Sequence, residues 1–307
     1  MAAQLVPLPE IERLSSRVIR ILGGNPGKFT LQGTNTYLVG TGRRRILIDA
    51  AEGKPAWKAS LSSVLESESA TISTAIITHW HPDHVLGVKD LRSLCPDVKV
   101  YKSRLSPDDG APGRDGYYDI KPDHDIEDEQ EFQVDGATLT AYHTPGHASD
   151  HVCLMLKEEE ALFTGDNVLG QGTTVFEDLS QYLSSLQKML SLAPKQAYPA
   201  HGPLIEDVKA KISEYIAHRQ ERVDQVLQVL KEHSTASTTS MDIVKVIYKD
   251  YPENLYEAAE RGVIQILDLL VKEGKAIKDN GKWRIKESQG AGGSPRSQGL
   301  MKAASVL

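Results

Sequence analysis

The sequence has few cysteines and no long apolar segment. Only two cysteines occur among 307 residues, Cys95 and Cys153, and they form no CxxC pair. This usage is typical of a reducing compartment, and it leaves histidine and carboxylate side chains as candidates for any metal site. Because no run of about 18 apolar residues is present, a membrane-spanning helix is excluded. The N-terminal stretch MAAQLVPLPEIERLSSRVIRIL lacks both a signal-peptide core and an acid-free, Arg-rich leader, so we expect a cytoplasmic protein.

An excess of positive charge is also missing. Lys and Arg number 35 against 42 Asp and Glu, a net charge of −7, and the longest charge-rich stretch, residues 123–131, is acidic. Proteins bind a nucleic-acid backbone through clustered basic residues. The composition therefore disfavours a nucleic-acid partner and leaves a local basic groove as the open alternative; we interpret the acidic stretch as a solvated loop.

Short apolar or alternating segments recur from residue 17 to about residue 200, with helix-like stretches between several of them. The segments are RVIRIL, TYLVG, RILID, TAIITH, VKVY, ATLTAYH, HVCLMLK, ALFTGD and QAYPAH, and the helix-like stretches are residues 57–66, 85–94 and 179–192. Strands mixed with helices in this way predict an α/β architecture whose helices cover the outer faces of the sheets.

The pattern changes after Gly202. Residues 208–233 predict one long helix with an apolar face, followed by two shorter helices and a hairpin around the turn letters DNG. Helix, helix and hairpin resemble a winged-helix module. We predict a catalytic domain over residues 1–205, a helical winged-helix-like domain over 206–287 and a disordered, Gly- and Ser-rich tail over 288–307.

The second helix of this module has few basic residues. Its acidic residues are Glu257, Glu260, Asp268 and Glu273. A DNA-recognition helix needs basic side chains to approach phosphates. The composition therefore favours a structural or substrate-covering role for the module over DNA binding.

A dense group of potential metal ligands follows the apolar run AII. Residues 78–84 read T-H-W-H-P-D-H and contain His79, His81, Asp83 and His84. Crowding such side chains at a strand end costs desolvation free energy that a bound cation offsets. Neutral imidazole together with carboxylate suits zinc, iron or manganese.

Three further ligand-type residues each follow an apolar segment of their own. His147 comes after ATLTAYHTPG, Asp166 after ALFTG and His201 after QAYPA. In layered α/β folds, strand ends at one edge of the sheets converge, and ligands bind in the crevice there. We therefore expect all seven residues to meet at one site.

The combination of HxHxDH, His in TPGH, Asp in TGD and His in AHG resembles the ligand pattern of the metallo-β-lactamase superfamily, over residues 17 to about 205. The resemblance implies an αββα metallo-β-lactamase sandwich, here with a C-terminal winged-helix-like domain. It implies two metal ions, zinc with manganese or iron as alternatives. The implied ligands are His79, His81 and His147 for the first ion, Asp83, His84 and His201 for the second, and Asp166 as the bridge.

The lack of a site cysteine favours the hydrolase branch of this superfamily. The phrases TPGHASDH, GTNTYLVGTG and TGDNVLGQGTTVFEDL are similar to the β-lactamase-like protein 2 family. That family includes endoribonucleases and the fungal thioesterases of non-reducing polyketide synthases, of the atrochrysone carboxyl ACP type. Two departures add side chains near the predicted site: Asp49-Ala50-Ala51 replaces the usual Asp-Thr-Gly, and Val85-Leu86 precedes Gly87 where a small residue and Gly are usual.

Two cations sharing a water molecule bring its pKa toward neutrality, so the expected chemistry is hydrolysis without a nucleophilic side chain. Asp83 is the candidate proton shuttle and catalytic residue, because a carboxylate beside the attacking water can accept and return a proton. Asp49, at the end of RILID, is expected either to hydrogen-bond a ligand histidine or to cap the strand end.

Two substrate hypotheses follow. The first is hydrolysis of a polyketide thioester on an acyl carrier protein, which would be the protein partner. It is favoured by the acidic chain, by the absence of a mitochondrial leader and by the likeness of NPGK and GTNT to the fungal thioesterases. The second is cleavage of single-stranded RNA, which requires a basic or aromatic-lined groove. A binding module with a vestigial metal site is the non-enzymatic alternative.

Overall fold

The computed structural model describes residues 5–104, 121–233 and 237–286. The chain divides between Arg222 and Val223 into two compact units. Among the described residues, none of the helices combines the length and the apolar character needed to span a bilayer.

The first sheet of the larger unit has six strands in sequential order. They are β1 (Ile11–Arg13), β2 (Val18–Leu22), β3 (Asn35–Val39), β4 (Arg44–Ile48), β5 (Thr71–Ile77) and β6 (Lys99–Lys102). The first four strands pair antiparallel, whereas β4, β5 and β6 run parallel. The parallel crossover from β4 to β5 contains α1 (Pro55–Ser67), and that from β5 to β6 contains α2 (Pro82–Val85) and α3 (Val88–Leu94).

The second sheet has five strands in the order β11-β10-β9-β8-β7. They are β7 (Glu131–Val134), β8 (Ala137–His143), β9 (Val152–Leu156), β10 (Ala161–Gly165) and β11 (Gln196–Pro199). Only β10 and β11 are parallel, and α4 (Leu179–Ser191) connects them. The ends of β5, β10 and β11 supply the loops that carry most of the predicted ligands.

Three apolar clusters show the layering of the larger unit. Alternate residues of β3 point in opposite directions: Tyr37 and Val39 meet side chains of the second sheet, and Leu38 packs on the side of α1 and α3. On the far face of the second sheet, Leu162 packs with Leu186 of α4 and with the first turns of α5 (Val208–Glu232). Two sheets lie face to face between helices, which confirms the predicted αββα sandwich.

The smaller unit contains the end of α5, then α6 (Ser240–Ile247), a 3₁₀ turn (Glu253–Leu255), α7 (Tyr256–Lys272) and a hairpin of β12 (Ala276–Asp279) and β13 (Lys282–Ile285). Asn280 and Gly281 both have positive φ, 47° and 72°, as a two-residue hairpin turn of this hand requires. Thr238 adds a bridge to Trp283 beside the hairpin. This arrangement confirms the predicted winged-helix-like module.

The structure departs from the predicted elements in a few places. Strands β1 and β7 were not predicted, because IER and EFQV are short and lack an apolar run. The helix predicted over residues 85–94 is interrupted after Val85, and α3 starts at Val88. The domain boundary predicted at residue 205 remains a prediction, and the predicted disordered tail at 288–307 lies outside the described residues.

Candidate metal centre

All seven predicted ligands lie at one edge of the sandwich. His79 and His81 follow β5, and Asp83 and His84 are in α2, the short helix that comes next. The other three lie after strands of the second sheet: His147 after β8, Asp166 after β10 and His201 after β11. The two sheets pack face to face, so their strand ends bring these loops together. The structure thus brings together every side chain predicted to bind metal; that they do bind it remains a prediction.

Three imidazoles converge in a first group. Nε2 of His79 lies 2.8 Å from Nδ1 of His81, and Nε2 of His147 lies 3.0 Å from that Nδ1 and 3.3 Å from Nε2 of His79. Three ring nitrogens this close cannot all be satisfied by sharing protons among themselves. A single cation between them would satisfy all three lone pairs.

A second group lies beside the first. Oδ2 of Asp83 is 3.2 Å from Nε2 of His84 and 3.3 Å from Nε2 of His201. Asp166 lies between the groups and presents one oxygen to each. Its Oδ2 is 3.5 Å from Nε2 of His147, whereas its Oδ1 is 3.2 Å from Nε2 of His201. Asp166 therefore has the geometry of a bridging carboxylate.

The donor set fits a pair of divalent cations. Among the described residues, Nε2 of His84 and Oδ1 of Asp166 are buried without a hydrogen-bond partner, although they lie only 3.5 Å apart. Buried polar atoms are costly when they lack a partner, and each of these atoms points into the second group. Imidazole nitrogen and carboxylate oxygen are ligands that zinc and manganese both accept.

Hydrogen bonds on the outer side fix the tautomers of three of these histidines. Nδ1 of His84 lies 2.8 Å from Oδ2 of Asp49, and Nδ1 of His147 lies 2.8 Å from the carbonyl oxygen of Val175. Nδ1 of His79 lies 3.0 Å from Oγ1 of Thr78, whose own proton goes to Asp49. Each ring therefore donates from Nδ1 and presents the Nε2 lone pair to the centre.

Asp49 hydrogen-bonds a candidate ligand, one of the two roles expected from the sequence. Its Oδ1 also accepts from the backbone N–H of Thr78 at 2.8 Å, and its φ of 59° lies in the left-handed region. Such a backbone is strained for a residue with a side chain and is retained where the surrounding structure holds it. Asp49 joins the end of β4 to His84 and to the residue that precedes His79.

The charges of the centre are set by burial and by mutual contact. Burial is the main cause that lowers the pKa of His81, to about 3. Burial also acts to lower the pKa of His201, but the Asp166 and Asp83 carboxylates outweigh it and raise this pKa to about 9. The pKa of Asp166 lies well below its usual range, because His201 and His84 outweigh the opposing effect of burial. The carboxylates are therefore ionised and ready to hold cations.

Several groups outside the ligand set support the centre; the sequence predicted His151 to lie near it as a supporting or surface residue, and no pattern indicated the others. Nε2 of the buried His151 accepts a hydrogen bond from the backbone N–H of Asp166 at 3.1 Å, so this ring positions the bridging residue. Tyr215 and Arg219 of α5 hold the loop that offers its carbonyl to His147: they donate to the carbonyl oxygens of Gly172, at 2.8 Å, and Thr174, at 2.7 Å. These contacts join residues far apart in sequence, and only the TPGHASDH spacing placed His151 near the site.

The centre opens into a cleft of about 450 Å³. The candidate ligands that line it are His81, Asp83, His147, Asp166 and His201. Its walls carry apolar side chains, including Phe29 and Val175, which are 69% and 60% exposed, together with Leu31, Leu169 and the cation of Lys28. The cleft therefore combines candidate metal ligands with apolar side chains.

Comparison with known proteins identifies the family. Residues 29–201 match the metallo-beta-lactamase superfamily, and residues 239–283 match the beta-lactamase associated winged helix domain. A Burkholderia ambifaria beta-lactamase domain protein of known structure shares the fold, with a TM-score of 0.75 at 17% identity over 92% of this chain and 96% of its own. The chain therefore belongs to the metallo-β-lactamase superfamily and is a hydrolase of that superfamily.

Two curated relatives place it more narrowly. The beta-lactamase-like protein 2 homolog of Drosophila melanogaster is 47% identical over 87% of this chain and 92% of its own length. The atrochrysone carboxyl ACP thioesterase of Aspergillus chevalieri is 45% identical over 84% of this chain and 81% of its own length. The chain belongs to the group that contains these two proteins, as the phrases TPGHASDH and GTNTYLVGTG predicted.

Proposed function

We propose that this protein is a two-metal thioesterase that releases an aromatic polyketide from the acyl carrier protein of a non-reducing polyketide synthase. The proposal that the protein is a two-metal hydrolase rests on the position of Asp166, whose two oxygens face two separate groups of candidate ligands. The name of the Aspergillus chevalieri relative supports an acyl carrier protein as the partner. The free, buried thiols of Cys95 and Cys153 agree with a reducing, cytoplasmic setting.

The proposed ligands are those predicted from the sequence. His79, His81 and His147 would hold one ion, Asp83, His84 and His201 the other, and Asp166 both; we propose zinc, with manganese as the alternative. Two such ions acidify a water molecule and polarise the carbonyl oxygen of the substrate.

The protein's own groups orient this centre and move the proton. Asp49 and the carbonyl of Val175 hold His84 and His147 with their Nε2 atoms toward the centre. The carboxylate of Asp83 accepts the proton that water loses as it attacks the thioester carbon, and returns it to the departing thiolate. The products are the free polyketide acid and the thiol of the carrier arm.

The walls of the cleft favour an apolar acyl group. Phe29 and Val175 expose large apolar surfaces at the cleft, where burial by a substrate removes them from water. An aromatic ring can pack on Phe29 with a further gain from ring–ring contact. This observation supports the aromatic substrate that we propose.

Cleavage of single-stranded RNA is the second candidate, and one observation favours it. Five exposed basic residues lie on or beside the hairpin of the smaller unit: Lys275, Lys278, Lys282, Arg284 and Lys286. Strand alternation places Lys282 and Arg284 on the face opposite the buried Trp283. A basic hairpin can contact phosphates. The acidic residues of α7 and the net charge of −7 oppose this candidate.

A direct test offers the zinc-loaded protein a polyketide thioester on its carrier protein and, separately, unstructured RNA. The thioesterase proposal predicts free acid, measured by chromatography, and intact RNA on a gel. Asp83→Ala should abolish most release while circular dichroism stays unchanged, and Glu257→Gln on the exposed start of α7 should leave it unaltered. RNA cutting that His79→Ala removes, with the carrier thioester untouched, would instead establish the second candidate.

A further inference from the structure

The segment NPGKFTLQGT between β2 and β3 contains a buried polar pair that the proposed reaction has not used. Asn25 and Thr34 are both buried, and Thr34 is fully so. Oδ1 of Asn25 accepts from the backbone N–H of Thr34 at 2.9 Å, and Nδ2 of Asn25 donates to Oγ1 of Thr34 at 3.0 Å. One amide therefore makes two hydrogen bonds to one threonine, which fixes the orientation of the amide.

This orientation determines where the hydroxyl proton of Thr34 points. An amide NH₂ group only donates, so Oγ1 of Thr34 acts as acceptor toward Asn25. The single hydroxyl proton is left for the other neighbour, Oδ2 of Asp83, at 2.8 Å. That same oxygen faces Nε2 of both His84 and His201.

Thr34 is anchored to a second ligand-bearing segment. It forms an isolated β-bridge with His201, and the next residue, Asn35, donates its N–H to the carbonyl of Ala200 at 2.7 Å. Space for the amide of Asn25 depends on Gly23, where an added Cβ would lie 2.6 Å from Oδ1. The hydroxyl of Thr34 thus has a fixed position relative to both Asp83 and His201.

We propose that Asn25 and Thr34 are positioning residues that hold Oδ2 of Asp83 toward His84 and His201, and so set the affinity of the second cation site. This inference rests on the proposed two-metal function. A charge-assisted hydrogen bond from Thr34 restricts rotation of the carboxylate. Outer partners of this kind are worth about 10- to 100-fold in metal affinity or activity.

The same segment also lines the cleft. Substitutions within it can therefore affect either substrate binding or the second cation site, and the two effects can be told apart. Lys28, Phe29 and Leu31 line the cleft. Within the segment, Thr30 donates to the carbonyl of Asn25 at 2.6 Å. Shortening Phe29 removes substrate contact and should raise KM, whereas removing the hydroxyl of Thr34 should lower kcat with little change in KM.

The experiment titrates zinc into the metal-free full-length protein by calorimetry and compares Thr34→Val, which keeps the shape without the hydroxyl, with Thr34→Ser, which keeps the hydroxyl. Thr36→Val is the matched control. It removes a buried hydroxyl on β3 that donates to the carbonyl oxygen of Ile21 and accepts from the indole N–H of Trp57, neither of which is a predicted ligand. We expect Thr34→Val to weaken one of two zinc sites about 10- to 100-fold and to lower kcat, and Thr34→Ser to restore both.

Wild-type zinc affinity in Thr34→Val would overturn the proposal, as would an equal loss in Thr36→Val, which would attribute the effect to general destabilisation. If Thr34→Val does not fold, Thr34→Ala gives the same comparison with less bulk. A wild-type protein that binds two zinc ions but hydrolyses no thioester would refute the proposed function. The zinc titration would still decide the role of Thr34.

Discussion

The two compact units differ in what they bury. Among the described residues, the larger unit buries charged or titratable side chains, including Arg20, Asp49, His84 and Asp166, whereas the buried polar residues of the smaller unit are Thr238 and Ser240. Burial of such groups is costly unless partners compensate for it. The larger unit therefore bears a cost in stability that a bound cation or a long-range hydrogen bond must offset. The smaller unit is stabilised by apolar helix faces and local caps.

The comparison shows where substitutions should act on chemistry and where on folding alone. In the larger unit, one side chain often connects several segments, as Asp49 connects β4 with Thr78 and His84. In the smaller unit, the capping box of α6 lies within four consecutive residues, between Thr239 and Asp242. Substitutions in the larger unit should therefore affect distant segments, whereas substitutions in the smaller unit should affect only neighbouring residues.

The largest expected effect is that of Asp166→Asn. An amide cannot supply two anionic oxygens to the two ligand groups, so we expect kcat on the carrier thioester to fall by more than about 100-fold, beyond the range for partners that only orient a ligand. Metal content by elemental analysis should fall in parallel. Asp268→Asn on α7 should change neither quantity. Full activity of Asp166→Asn would remove the basis for a bridged centre.

Gly87→Ala should have the next largest effect, on stability. An added Cβ would lie 1.9 Å from the carbonyl oxygen of Ala50, so the backbone beside α2 must shift. We expect a loss of about 3 kcal/mol in the free energy of unfolding, measured with urea. In the smaller unit, Gly262→Ala meets no atom within 4 Å and should gain about 0.5–1 kcal/mol, because glycine weakens a helix interior. Equal effects at the two glycines would contradict the contrast between the units.

The stability of the metal-free protein should depend on pH because the buried carboxylates of Asp166 and Asp83 hold a proton on His201. The pKa of His201 is raised to about 9 by Asp166 and Asp83, above its ordinary value of 6.5. The folded state therefore binds this proton more tightly than the unfolded state. Its contribution to stability is complete below pH 6.5 and is lost as the pH rises through about 9. Thermal unfolding after chelation measures this loss, and a metal-free His201→Gln variant with the same slope would refute the assignment.

The smallest effect is expected from Thr239→Ala. The side chain of Thr239 caps the start of α6 and accepts from the backbone N–H of Asp242 at 3.1 Å. Loss of such a cap costs about 1 kcal/mol. We expect that loss in chemical unfolding, with unchanged zinc affinity and activity, and recovery in Thr239→Ser. A change in zinc affinity would show that the smaller unit affects the metal centre.

Much of the molecule could be predicted from local patterns. Apolar alternation in TYLVG and RILID predicts strands because each residue faces the opposite side of the sheet from its neighbour. The types and spacing of His79, His81, Asp83 and His84 predict a metal site, because a bound cation offsets the free energy of desolvating so many polar side chains at one strand end. The fold class and the family followed from these patterns and are confirmed.

Other features could not be predicted, because they depend on atoms brought close only by folding. The break between α2 and α3 lies where Gly87 packs on the carbonyl of Ala50, which belongs to another segment. The carbonyl of Val175 is a backbone group with no sequence signal, although it fixes the ring of His147. The direct bond from Thr34 to Asp83 spans 49 positions.

Residue types and their spacing specify the chemical groups that the protein has available: seven ligand-type side chains at the ends of apolar segments, two cysteine thiols and a helical module with a hairpin. Three further features depend on long-range folding: the nitrogen of each histidine that faces the centre, the oxygen of Asp166 that faces each ligand group, and the threonine that hydrogen-bonds Asp83. The reason is physical. Residue type and period specify what a segment can bury, whereas the direction of a hydrogen bond depends on the partner that long-range packing supplies.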